Sequence, residues 1–124
     1  MSDTQHRYDI DTESVLFGPG EQFDIHALGA AQTPWWNRTL CTVNDACVRL
    51  GVLEGHFHWH KHDAEDEFFL VLEGQLDIEL QDRMVSLAPG QAFTVAAGVL
   101  HCTHAPVRTV VLMVEKAGVK PTGD

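Results

Sequence analysis

The chain has 124 residues, 44% of them hydrophobic, which suits one domain around one core. Its formal charge of −10 argues against nucleic acid and anionic membrane surfaces as partners, because both require a basic patch. The start, MSDTQHRYDIDTES, carries no basic n-region and no apolar h-region, and no apolar run reaches the length of a membrane span, so a cytoplasmic protein is expected.

In chain order, VLFGPG (15–20) reads as an edge strand stopped by Pro19-Gly20, and 23–31 as a short helix supported by Ala27, Leu28, Ala30 and Ala31. Residues 1–33 thus form an irregular N-terminal extension, and 34–124 a separate β-rich domain. From residue 38 onward, short β-rich runs follow one another. They are RTLCTV, ACVRLGVLEG, HFHWHKH, EFFLVLEG, QLDIELQ, MVSLAPG, AFTVAAG, LHCTH and TVVLMVEK, separated at Asn44-Asp45, Gly74, Asp82, Pro89-Gly90 and Gly98. No amphipathic helix interrupts them, so the fold class is all-β, a sandwich or barrel. The tail AGVKPTGD is polar and is expected along the surface. Three cysteines without a CxxC pair read as reduced thiols, and Cys102 should face away from its neighbour His101.

Alternation predicts which residues share a face. With His60 and His62 inward, His56 and His58 follow them, and Phe57, Trp59 and Lys61 point out. An inward Glu67 brings Phe69 and Val71 inside, where Leu76, Ile78 and Leu80 join them, with Asp77 and Glu79 in solvent. FFLVL (68–72) and VVLMV (110–114) are apolar on both faces, so their outer faces need a cover. The N-terminal segment or a second subunit would supply it, and a homodimer is expected.

His60, His62, Glu67 and His101 stand out as a ligand set. Three imidazoles and a carboxylate, without thiolate, suit one divalent transition metal (Fe, Mn, Ni, Co or Zn) and leave open positions on a five- or six-coordinate ion. A His-x-His pair requires a strand to put both rings on one face. HFHWHKH holds three overlapping pairs of this kind, and only Glu67 and Gly74 select the last one.

This pattern resembles the cupin superfamily, and within it the small single-domain proteins known as phosphomannose-isomerase-like cupins. Its first motif is matched by His60-Lys61-His62, four residues, Glu67, six residues and Gly74, with the leading glycine displaced to Gly55. The second is matched by Gly90, Gly98 and His101, with Ala96 in place of proline and Ala105 in place of asparagine. The resemblance covers roughly 34–124, and it implies a double-stranded β-helix, or jelly-roll, barrel with a metal-lined mouth. Loss of the proline is expected to loosen the turn that presents His101.

Other residues have two readings each. His58 and His104 are candidates for a catalytic base, and Thr103 shares the inward parity of His101. His56 reads as a ligand neighbour or a rim residue. Trp35 and Trp36 either close the barrel over a ligand or pack in the core. Asp63, Glu65 and Asp66 form an acidic loop expected in solvent. A small-molecule ligand or substrate is the expected partner. Two functions fit: a metal-dependent isomerase, lyase or dioxygenase, or a non-catalytic metal-bearing domain that binds a small sugar or organic acid. Polar inward residues beyond the four ligands would favour the enzyme. An interior filled by Phe69, Leu76, Ile78 and Phe93 down to the metal would favour the domain.

Overall fold

A computed structural model describes residues 8–124. Eight strands and one short helix follow in chain order: β1 (Asp9–Val15), α1 (Ile25–Ala30), β2 (Trp36–Val43), β3 (Ala46–His56), β4 (Glu67–Glu73), β5 (Leu76–Leu80), β6 (Met84–Leu87), β7 (Ala92–Val95) and β8 (His101–Lys116). They pair in the order β1-β2-β3-β8-β4-β7, with β5 joining both β6 and β8. The result is the all-β jelly roll that the motifs imply. No helix among the described residues is long and apolar enough to cross a membrane.

β8 is the spine. Its first residues pair with β5 (His101 opposite Leu80) and its later ones with β4 (Met113 opposite Phe69), while β3 runs along most of its length. Pro106 falls between the β5 and β4 pairings, where a residue without an amide proton breaks no ladder bond. Leu53, Phe69, Val71, Leu76, Ile78, Val95, Val111 and Met113 fill the interior, as alternation predicts for β4 and β5. Each fully buried side chain of this kind contributes roughly 1.5–3 kcal/mol.

The N-terminal segment differs from its sequence reading. The strand lies at Asp9–Val15 rather than 15–20, and it joins the sheet parallel to β2, with Asp9 opposite Trp36. Arg38 anchors it through Asp9 Oδ1 at 3.0 Å. The helix falls where expected, its first turn capped by Asp24 Oδ1, which accepts from Ala27 N at 3.0 Å. Arg108 on β8 donates to the carbonyls of Gly29 and Gln32 at 2.6 and 2.8 Å, tying the helix C-terminus to the barrel. Phe17, Phe23, Ile25 and Leu28 then cover Leu40, Leu50, Val52, Val110 and Leu112 on the outer face. The N-terminal segment is therefore one cover for the two-sided apolar strands.

The tail lies along the surface as expected, and it is tied down there. Residues 117–124 cross back over the barrel end: Asp124 N donates to Lys61 O at 2.9 Å, and Asp63 N donates to Asp124 Oδ2 at 2.6 Å. Gly123 (φ +95°) lies against His60 so closely that a Cβ there would stand 2.6 Å from the His60 Cβ.

Candidate metal centre

His60, His62, Glu67 and His101 are all buried, and one ligand atom from each lies within 4.8 Å of all the others. Backbone pairing sets this geometry. His60 and His101 exchange N–H···O bonds of 2.9 Å in an isolated bridge, so two ligands far apart in sequence are locked side by side. His62 O accepts from Gly98 N at 2.8 Å, which fixes the turn before His101. Glu67 starts β4 on the inward face, opposite Glu115 of β8.

The tautomers of His60 and His101 are set by backbone carbonyls. The Nδ1 atoms of His60 and His101 lie 3.0 and 2.9 Å from the carbonyl oxygens of His58 and Val99, so each ring donates there and keeps Nε2 free. Glu67 Oε1 sits 3.3 Å from His62 Nε2 and 3.5 Å from His101 Nε2. Two ligands held about 2.1 Å from one ion stand roughly 3–4 Å apart, so these spacings fit a shared ion. His62 Nε2, His101 Nε2 and Glu67 Oε1 are buried, and beyond one another they have no polar partner. Three such atoms facing one another form a group that fits a cation.

Electrostatics point the same way. Burial pushes His60 down to about 4, which keeps it neutral and available as a ligand. Contact with the Glu67 carboxylate outweighs burial and raises His62. Burial alone would raise Glu67, but the imidazoles of His101 and His62 hold it below the ordinary carboxylate range. Glu115 moves the other way: burial first, and then the Glu67 charge, raise its carboxyl.

Beside the quartet lies a cavity of about 30 Å³, bounded by Ile10 and Pro121 from the two chain ends and by Trp35, Phe57, Phe69 and Met113. Trp35 donates from Nε1 to Glu54 O at 2.6 Å, packs with Tyr8 and Phe57, and lies against the core cluster at the cavity's edge. Trp36 packs in the outer apolar cluster, with the Arg38 guanidinium 5.3 Å over its ring.

Alternation fails between residues 55 and 60. The β3–β8 register shifts between Leu53 and Gly55, and Gly55 adopts φ +93°, a left-handed conformation that interrupts the pleat. Phe57 therefore turns inward at 7% exposure, while His56 and His58 leave the ligand face; Trp59 is exposed as expected. His58 Nε2 lies 2.7 Å from Thr122 O. His104 stacks on His56 with ring centroids 3.8 Å apart and faces Asp77 at 3.9 Å. Neither catalytic candidate, His58 nor His104, lines the cavity; Thr103 does. Cys102 is buried and donates to Phe57 O, and all three thiols are free.

The acidic loop is not merely solvated. Asp63 pairs with Lys61, and Asp66 Oδ1 accepts from Ala97 N at 2.9 Å. Asp66 thus holds the turn that lacks the motif proline, and it does so from the neighbouring motif.

Sequence reasoning passed over a buried polar group beside Glu67. Arg49, 2% exposed, reaches Asn37 Oδ1 with Nε and Nη2 at 3.1 and 2.8 Å and Thr39 Oγ1 with Nη1 at 2.6 Å. Its Nε is 3.6 Å from Glu115 Oε1. The available signal was parity: Arg49 and Glu115 are charged residues at inward positions of otherwise apolar strands.

A jelly-roll barrel with a buried three-histidine, one-glutamate cluster defines a cupin with the makings of a metal site. The chain belongs to the cupin family: the cupin domain model matches residues 48–115. It is 42% identical over 80 residues to the uncharacterized protein YdbB of Bacillus subtilis (strain 168), covering 64% of this chain and 71% of that protein. Among solved structures, it is similar to a cupin-2 domain containing protein from Shewanella frigidimarina NCIMB 400, with TM-score 0.72 and 28% identity over 76% of this chain and 93% of that one. TT1209 from Thermus thermophilus shares the fold at TM-score 0.68 and 23% identity, over 78% of this chain and 97% of that one.

Proposed function

We propose that the protein is a metal-dependent cupin enzyme acting on a small metabolite, with His60, His62, Glu67 and His101 holding one divalent transition-metal ion. The observation that carries this reading is the convergence of buried imidazole and carboxylate atoms beside a cavity that Asn37, Thr103 and Glu115 also line. A bound ion would supply Lewis-acid polarisation of a ligand oxygen or, as ferrous iron, activation of dioxygen, which spans isomerase, lyase and dioxygenase reactions. The chain's own residues do the rest. Trp35 and Phe57 keep water out, Asn37 and Thr103 offer polar contacts, and burial keeps the His60 ring unprotonated.

Metal content after anaerobic purification, read together with oxygen uptake and product formation across a metabolite panel, tests this. Iron with oxygen uptake selects the dioxygenase branch, and product without oxygen uptake selects isomerase or lyase chemistry. Metal-free protein from metal-replete cells refutes the reading. The small cavity favours a second reading, a non-catalytic metal domain for a small sugar or organic acid, which tight binding without turnover would select.

The proposal extends to assembly as a homodimer. Val48, Phe68, Leu70 and Val114 are half-buried apolar residues on the outer face beyond the reach of the N-terminal segment, and a second copy would cover them. A solution mass of 13.8 kDa would overturn it.

A further inference from the structure

Ile10 and Pro121 border two spaces: the cavity beside the quartet and a groove of about 410 Å³ between β1, the β2–β3 hairpin and residues 117–122. A volume of that size falls within the roughly 300–1,000 Å³ that small-molecule sites occupy. The groove's charge is opposite to that of the chain. The sequence has 18 acidic and 8 basic residues, yet no acidic residue borders the groove and two cations, Arg49 and Lys120, do. Glu115, the carboxylate 3.6 Å from Arg49 Nε, borders the cavity and not the groove. Arg38, Lys61 and Arg108 each pair with a carboxylate, whereas among the described residues Lys120 has no such partner. Arg49 gives Nε, both hydrogens of Nη2 and one of Nη1 to Asn37, Asp11 and Thr39, which leaves one Nη1 hydrogen. Three exposed threonines, Thr12, Thr42 and Thr122, bring hydroxyls to the same border.

We propose that this groove binds a polyhydroxy monocarboxylate, a sugar acid or an acid of similar size. The carboxylate faces Lys120 and the remaining Arg49 N–H, and the ligand's hydroxyls pair with the threonines. Charge supplies the selection. A protein of net charge −10 repels anions on the whole, and a cleft bordered by cations alone focuses the opposite field and gathers them. A neutral polyol keeps the hydroxyl contacts and loses the charge; a plain aliphatic acid keeps the charge and loses the hydroxyls. The ligand class holds whether or not the quartet carries an ion, because none of His60, His62, Glu67 and His101 borders the groove.

The test uses three linear six-carbon probes: gluconate, sorbitol and hexanoate. Metal-free, isotope-labelled protein is titrated with each to about 100 mM at constant ionic strength, and binding is read from backbone amide shifts. Gluconate should move the amides of Thr39, Thr42, Gly118 and Lys120 and bind at least 10-fold more tightly than either other probe. Lys120→Gln and Lys120→Glu change an exposed side chain, so the remaining amides should keep their positions. Both variants should bind gluconate at least 10-fold more weakly, while their response to sorbitol stays as in wild type. Thr42→Trp places a large ring at the groove's border and should abolish the gluconate shifts. Sorbitol bound as tightly as gluconate overturns the role of charge, and hexanoate bound as tightly overturns the role of the hydroxyls. No response to gluconate, shifts confined to residues away from the groove, or a gluconate affinity that survives Lys120→Glu each overturn the proposal as a whole.

Discussion

Gly74 links the motif to the physics of the fold, and replacing it gives a quantitative test. It adopts φ +86° at the β4–β5 turn, and a Cβ there would stand 2.4 Å from Thr109 Oγ1, 2.6 Å from Arg108 O and 2.9 Å from Thr109 Cα. Two of those contacts are with the backbone of β8, so no rotamer relieves them. Gly74→Ala carries a left-handed penalty of about 1 kcal/mol. It also displaces the Thr109 hydroxyl, which accepts from Gln75 N at 3.1 Å and donates to Gln75 O at 2.9 Å; two bonds are worth roughly 1 kcal/mol each. The sum is about 3 kcal/mol, before any strain from parting the turn and the strand. Gly98→Ala is the control. Gly98 has φ +79° but nothing within 4 Å of the added Cβ, so only the penalty of about 1 kcal/mol applies. Urea unfolding of both metal-free variants should therefore place Gly74→Ala roughly 2 kcal/mol below Gly98→Ala, with an unchanged m-value. A Gly74→Ala variant as stable as Gly98→Ala would refute the argument that close approach to β8, and not backbone conformation alone, demands glycine there.

Three further outcomes are expected. His60→Ala and His101→Ala should each cut bound metal at least 10-fold by elemental analysis, whereas His104→Ala, on the outer face beside His56, should leave it unchanged. Asp66→Ala removes the acceptor for Ala97 N and should weaken metal binding by roughly 10-fold, the size typical of losing a group that orients a ligand, without unfolding the barrel. Metal affinity should fall with acid: His62 is raised above the ordinary histidine value of 6.5, so protons compete with the ion from above pH 6.5 downward. His60, held to about 4, adds its own competition only far lower, so metal affinity followed by calorimetry should show a further proton-dependent loss near pH 4. A His60 proton released on metal binding near pH 6, seen as a His60-specific imidazole shift by NMR, would contradict the buried, neutral ring.

The clustering of His60, His62, Glu67 and His101 was legible because their spacing is local chemistry. Glu67 and Gly74 single out one His-x-His pair among three, and a strand is the only element that turns both rings the same way. The interior of β4 and β5 was legible for the same reason, since Phe69, Val71, Leu76 and Ile78 obey a two-residue period. What escaped depends on contacts between segments. Gly55 breaks the pleat through its backbone conformation, so parity misplaced His56, Phe57 and His58. Asp66 found its partner in Ala97, thirty-one residues away, and no local pattern marks that pairing. Arg49 and Glu115 belong to no local pattern, and only the barrel brings them within 3.6 Å of each other. The sixteen residues of β8 carry His101, Thr103 and Glu115 together, yet only the first belongs to a motif.

The position of β8 also sets a clock. It is the last strand in the chain, and it pairs with β3, β4 and β5. During synthesis the earlier strands emerge with their central partner still missing, and the outer apolar face of β3 and β4 waits exposed. Such long-range pairing makes folding slow and leaves the nascent chain open to aggregation. The barrel closes only when residues 101–116 arrive, and the same event brings His101 to His60, His62 and Glu67. The cluster of four is thus a product of the final folding step, completed late and all at once.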